Sequence, residues 1–206
     1  MRYPKIRELI EAVKSLVSRP YTSAFPKKPH EPAKRFRGKP EYSDEGCIAC
    51  GACSLVCPAR AIEVKDVVAK DKASRKMVLH LDECHYCGQC SAYCTTKDDI
   101  TPGIQHTTEF DLAGFDRANM VSTTAEKELA LCELCGDVIT SKSHLSWLAG
   151  KLGPLAFSNP TLFVASLKGL GLADNVLTAT RDYVLRSERV KVLCAKCKRK
   201  AVIERY

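Results

Sequence analysis

No stretch of this chain approaches the roughly 18 uninterrupted apolar residues that a spanning helix needs. The most apolar segment, near Leu162 to Leu172, is broken by Ser166, Lys168, Gly169 and Gly171. The chain is therefore not expected to cross a membrane by itself. The N-terminus, Met1-Arg-Tyr-Pro-Lys-Ile-Arg7, is charged and is followed by Glu8 and Glu11, so it lacks the apolar core and small-residue cleavage site of a secretory leader. Aromatic residues are few, 7% of the chain, and none is interleaved with the basic run Lys196, Lys198, Arg199 and Lys200. Without stacking platforms that run is not expected to bind nucleic acid. The histidines His30, His80, His106 and His144 are scattered without ligand spacing and read as structural or surface residues.

What the chain has is cysteine, twelve residues in 206. Eight fall in two copies of one phrase: Cys47-Ile-Ala-Cys50-Gly-Ala-Cys53-Ser-Leu-Val-Cys57-Pro58, then Cys84-His-Tyr-Cys87-Gly-Gln-Cys90-Ser-Ala-Tyr-Cys94. Two-residue gaps let a short loop wrap three sulfurs around a cubane while its amides point inward, and a fourth thiolate comes from elsewhere. A disulfide framework would require an oxidising compartment, which nothing at the N-terminus supports. Zinc knuckles come as separated pairs, unlike these runs. The spacing resembles that of two-cluster bacterial ferredoxins, where the last cysteine of each run serves the other cluster. That resemblance implies one 4Fe-4S cluster on Cys47, Cys50, Cys53 and Cys94, and a second on Cys84, Cys87, Cys90 and Cys57, about a pseudo-twofold axis. A cubane with four thiolates has no open iron, so no catalytic residue is expected. Gly51 and Gly88 follow the second cysteine of each run, where a small residue admits the backbone to the cluster. Pro58 constrains the chain leaving the first run, and its counterpart is Thr95. His85 stands where Ile48 does in the first run, either as an N–H donor to a cluster sulfur or as an exposed loop residue. Tyr86 and Tyr93 read as packing over the clusters.

The formal charge is +8. Three filled thiolate sites, each carrying about −2, bring the loaded protein to roughly +2. The remaining basic excess lies before the first run, at Arg2, Lys5, Arg7, Lys14, Arg19, Lys27, Lys28, Lys34, Arg35, Arg37 and Lys39. Within it, Ile6, Leu9, Ile10, Val13, Leu16 and Val17 form one helical stripe, bracketed by Pro4 and Pro20. Pro20, Pro26, Pro29, Pro32 and Pro40 then impose extended backbone. Residues 1–40 thus read as an amphipathic helix on a stiff basic arm that docks on a partner protein.

Residues 41–105 read as the ferredoxin core of an α+β protein. A strand through Ile62 and Val64 follows the first run, and a strand over Met77 to Leu81 precedes the second. Lys65 to Lys76 reads as a charged turn between them. A connector over 106–124 leads to a second module, 125–206, opened by Cys132-Glu-Leu-Cys135-Gly136 and closed by a strand from Arg189 into Cys194-Ala-Lys-Cys197. Ser143 to Arg186 between them reads as helical in pieces, broken at Gly150 to Pro154, at Asn159-Pro160 and at Gly169 to Gly171. Four thiolates in two knuckles suit tetrahedral zinc as a structural staple, or a rubredoxin-type iron on the same sulfurs.

The phrase Arg35-Phe-Arg-Gly-Lys-Pro-Glu41, followed by the first cysteine run, resembles the ferredoxin-like subunit of respiratory complex I and of membrane-bound nickel-iron hydrogenases. A second Cys-x-x-Cys pair beyond the ferredoxin core looks like the corresponding subunit of formate hydrogenlyase. The resemblance implies an electron-relay subunit docked on the cytoplasmic face of the membrane through its partners. It implies electrons passing between a donor iron-sulfur protein and the hydrogenase small subunit. Family members usually carry Cys-Pro at the end of both runs, whereas here Thr95 follows Cys94. The equivalent subunit of a complex I-like oxidoreductase, or a free ferredoxin, is the nearer alternative, and an iron-sulfur or zinc-ribbon regulator of nucleic acid the distant one.

Overall fold

The computed structural model describes residues 5–20, 22–69, 72–172 and 191–203. The chain divides into two units, residues 1–35 and 36–206.

In the first unit, helix α1 spans Ile6–Val17. Its N-terminus is closed by the Lys5 amide donating to Glu8 Oε2 at 3.1 Å, an acceptor placed where the helix dipole favours negative charge. Lys14 occupies the last turn, and Pro20 follows where a helix could not continue. No residue of α1 is buried, and its stripe is open to solvent, from Leu9 at 53% to Leu16 at 86%.

The second unit is built on two antiparallel sheets. Strand β1 (Pro40–Tyr42) pairs with β4 (Ile104–His106), joining the chain ahead of the first cysteine run to the chain beyond the second. Strands β2 (Ile62–Val68), β3 (Ala73–His80), β5 (Val121–Leu131) and β6 (Val138–Ser141) form the other sheet in that order. Short helices α2 (Ala52–Val56) and α3 (Gln89–Ala92) each begin inside a cysteine run. The core combines thiols with apolar side chains: Cys47, Cys53 and Cys90 lie with Tyr42, Ala61, Ile62, Met77, Leu79, Ile104 and Ala125.

The strands through Ile62 and before the second run are present, but the expected charged turn between them is not. β2 and β3 run on through most of Lys65 to Lys76. The reason is cross-strand pairing: Asp66 lies opposite Arg75 in the ladder, and Arg75 donates to both Asp66 oxygens at 2.7 and 2.8 Å. Charged side chains on the exposed face of a hairpin satisfy one another without breaking it. Likewise β5 begins at Val121, within the stretch read as connector.

Helices α4 (Lys142–Leu152) and α5 (Pro160–Gly169) follow, separated by a 3-10 turn over Gly153–Ser158. The breaks fall close to the expected ones, although α4 continues through Gly150. The rest of the expected helical stretch, from 173 onward, lies outside the described residues. No strand enters the last cysteine pair over 191–194. Val192 and Leu193 are buried there, and helix α6 (Ala195–Ile203) starts between the two cysteines. Residues 189 and 190 lie outside the described residues.

Candidate metal centres

The two cysteine runs adopt the same local geometry. Ala49 and Tyr86, each preceding the second cysteine, have φ of 48° and 53°, and Gly51 and Gly88, each following it, have φ of 84° and 82°. Left-handed backbone at the second position is what makes glycine necessary, because at Gly51 an added Cβ would meet nothing within 4 Å. These turns aim the sulfurs of each run inward and launch α2 and α3. An arginine fastens one carbonyl of each loop. Arg75, held by Asp66, donates to Ala49 O at 3.2 Å, and Arg37 donates to Cys87 O at 2.7 Å.

Each loop borders a cavity. One is lined by Cys47, Cys50, Cys53 and Cys94, with Tyr42, Thr95 and Ile104. The other is lined by Cys84, Cys87, Cys90 and Cys57, with His85, His106 and Leu79. The last cysteine of each run therefore lines the cavity of the other run. Burial pushes the Cys47 thiol up to about 11 and the Cys90 thiol up to about 12. It also raises Cys53 and Cys84. Buried thiols that resist ionisation become thiolate ligands only when a cation compensates the charge. Eight cysteines in two sets of four, free of disulfides, fit two cubane clusters.

The surroundings of the sulfurs differ. On the first set, the Tyr42 hydroxyl lies 3.4 Å from Cys53 Sγ, Thr95 Oγ1 lies 3.1 Å from Cys50 Sγ, and Thr96 Oγ1 lies 3.4 Å from Cys94 Sγ. On the second, the Tyr86 amide donates to Cys84 Sγ at 3.4 Å. His85 lines that cavity from an exposed position. A second histidine at this set is His106, read from sequence as structural or surface. Its Nδ1 lies 2.7 Å from the Gly38 carbonyl and its Nε2 4.0 Å from Cys90 Sγ. Only the pairing of β1 with β4 places it there, and no local pattern in sequence could have signalled it. Tyr93 is exposed and does not cover a cluster cavity.

The Phe-Arg-Gly phrase acquires a structural meaning. Phe36 packs edge-on against Phe110 at 5.9 Å, Arg37 fastens the second loop, and Gly38 lets the backbone run against residues 107–109. A Cβ at Gly38 would lie 2.2 Å from Glu109 O.

The third group stands on different elements. Cys132 and Cys135 occupy the turn between β5 and β6, closed by the Gly136 amide donating to Cys132 O at 2.8 Å. Cys194 precedes α6 and Cys197 lies in its first turn. The four sulfurs lie within 4.8 Å of one another, with Cys135 and Cys194 at 3.7 Å. Zinc–sulfur bonds of about 2.3 Å give a tetrahedron with edges of about 3.8 Å, so this set is sized for a single ion and too tight for a cubane. Burial acts to raise the Cys132 thiol, but N–H groups of Cys194, Cys135 and Leu134 outweigh it and bring it down to about 6.

Helix α4 links this module to the first cysteine run. Ser141 caps α4 by accepting from the His144 amide at 3.1 Å, and its own hydroxyl donates to the Ile48 carbonyl. Trp147 Nε1 and Lys151 Nζ, both on α4, donate to Asp99 at 2.6 Å each, just beyond the second run.

Paired cysteine loops, each with the last cysteine of the other run beside it, match a ferredoxin-like, two-cluster iron-sulfur domain. The 4Fe-4S dicluster domain family matches residues 46–97, and the chain is homologous to subunit I of NAD(P)H-quinone oxidoreductase and to subunit 6 of formate hydrogenlyase. The chain is 29% identical over 103 residues to the former from Gloeobacter violaceus, covering 48% of this chain and 46% of the relative. It is 44% identical over 48 residues to formate hydrogenlyase subunit 6 of Escherichia coli, covering 23% of this chain and 27% of the relative. A chain of the archaeal membrane-bound sulfane sulfur reductase is 24% identical with a TM-score of 0.40, covering 58% of this chain and 61% of that one. The chain thus spans about half the length of the quinone oxidoreductase subunit, or less of the other. Among the described residues no helix is long and apolar enough to cross a membrane.

Proposed function

We propose that this chain is an electron-relay subunit of a membrane-bound nickel-iron hydrogenase or formate hydrogenlyase complex. One 4Fe-4S cluster is held by Cys47, Cys50, Cys53 and Cys94 and the other by Cys57, Cys84, Cys87 and Cys90, about a pseudo-twofold axis. The observation that carries this reading is the exchange of Cys57 and Cys94 between the two cavities. When bound, each cubane supplies a one-electron couple. The chain's own residues hold the thiolates, exclude water with Ile62, Leu79 and Ile104, and leave no iron open to a substrate. Zinc occupies Cys132, Cys135, Cys194 and Cys197 as a structural staple, and the C-terminal module it closes braces the first loop through α4.

The partners follow from α1, whose exposed apolar stripe is short of a core to cover and stands beside basic residues. It docks on neighbouring subunits of the hydrophilic arm on the cytoplasmic face, placing the clusters between a donor iron-sulfur protein and the hydrogenase small subunit. A free ferredoxin would have no use for that stripe. Tagged protein purified from native membranes is expected to bring nickel-iron hydrogenase subunits with it, and Leu9→Asp with Val13→Asp to lose them while keeping its iron. Wild-type protein that elutes alone and loaded would contradict the docked reading.

A further inference from the structure

We infer that Tyr42 and Thr95 set the reduction potential of the cluster site formed by Cys47, Cys50, Cys53 and Cys94, by donating hydroxyl hydrogen bonds to two of its sulfurs. The inference rests on the proposed reading that these four cysteines hold a cubane. A ligating thiolate has no proton to give, so at both contacts the hydroxyl is the donor. Thr95 Oγ1 reaches Cys50 Sγ at 3.1 Å and Tyr42 reaches Cys53 Sγ at 3.4 Å. Tyr42 is buried at 9% exposure and Thr95 is half-buried, so water competes little for either bond.

Thr96 is excluded although it also approaches a sulfur. Its single proton goes to Gly46 O at 3.0 Å and its oxygen accepts from the Gly103 amide at 2.9 Å, which makes it a buried tie between two loops. Neither Tyr42 nor Thr95 has such a competing acceptor among the described residues. The second set has no equivalent. Its sulfurs meet the Tyr86 amide and the ring of His106, and among the described residues no hydroxyl hydrogen-bonds to them.

The physical effect has one sign. Reduction adds an electron to the cluster and its sulfurs, and a hydrogen bond to a more negative acceptor is stronger. Donors on the sulfurs therefore favour the reduced state and raise the potential. Tyr42 and Thr95 are positioning residues that act through cysteine sulfur. Thr95 does so at the position where the first run carries Pro58, which has no side-chain donor.

The test is a redox titration of the purified, cluster-loaded full chain, followed by EPR, on wild type, Thr95→Val, Thr95→Ser and Tyr42→Phe. Thr95→Val and Tyr42→Phe are each expected to move the same one of two midpoints to more negative potential. The ratio of oxidised to reduced cluster at fixed potential should change about tenfold, which is about 59 mV for a one-electron couple. The other midpoint should stay, and Thr95→Ser should keep the wild-type value. Should Thr95→Val fail to retain its clusters, Tyr42→Phe decides, because it removes one oxygen and leaves the ring in place. Two unmoved midpoints, both midpoints moving together, or the two variants moving different midpoints would overturn the inference and leave the proposed function intact. A wild-type chain without two 4Fe-4S signals would overturn the proposed function itself.

Discussion

A Cβ at Gly38 would meet the carbonyl oxygens of Glu109 and Thr107 at 2.2 and 2.7 Å, both of them backbone. Neither can swing aside as a side chain could. Gly38→Ala should therefore push the strand ahead of the first run away from residues 107–109, disturbing Arg37 on the Cys87 carbonyl and His106 against Gly38. Overpacking of this kind costs about 1–3 kcal/mol, read as a lowered midpoint in chemical denaturation. Ser141 is a second such residue, fully buried and engaged at both ends of its hydroxyl. Ser141→Ala removes the α4 cap at a cost of about 1 kcal/mol. It also leaves the Ile48 carbonyl without this donor, so cluster loss under mild denaturant should quicken as well.

At the scale of elements, α4 carries a pH response. Burial, and then the nearby Arg75 charge, hold His144 below the ordinary histidine value, with Nδ1 2.9 Å from Thr140 Oγ1. A histidine kept neutral in the fold binds its proton more readily when unfolded. Its contribution is full above the unfolded value of about 6.5 and is lost as pH falls through the lower folded one. Thermal stability should decline from pH 7 to pH 5, and His144→Gln should flatten that slope. An unchanged slope would show that His144 is not its source. The cysteine loops give a sharper prediction: Cys57→Ser should remove the cluster of the second run, and Cys94→Ser that of the first, as read by iron content and EPR. Loss of each run's own cluster would point to uncrossed ligation.

Much of this was legible because some patterns are set by local chemistry. Two-residue gaps between Cys47, Cys50 and Cys53 reflect one loop around one centre, and the α1 stripe reflects helical period alone. Other features depended on distant partners. Lys65, Asp66, Arg75 and Lys76 have the composition of a turn, and only their cross-strand register makes them a hairpin. Val192 and Leu193 look like a strand, but both are buried outside any sheet, and Leu193 packs with Cys132 and Cys197. His106 gave no signal because its closeness to Cys90 is created by sheet pairing.

Over the whole molecule, thiols do much of the work of a hydrophobic core. Cysteines stand inside the main cluster of buried residues and inside the one around the third site, so stability should follow metal content. Metal analysis is expected to find one zinc beside the iron. Removing that zinc with a chelator should loosen the C-terminal module, seen as faster proteolysis beyond residue 125, before the clusters are lost. Loaded sites also bring the formal +8 to roughly +2, which leaves the basic arm as the main charged feature for a partner to meet. Whether one chain holds two cubanes side by side is decided by spin-quantified EPR of the fully reduced protein. Two 4Fe-4S signals of equal weight, broadened by mutual interaction, are expected; a single cluster, or only the signal of a mononuclear iron, would rule out the two-cubane arrangement.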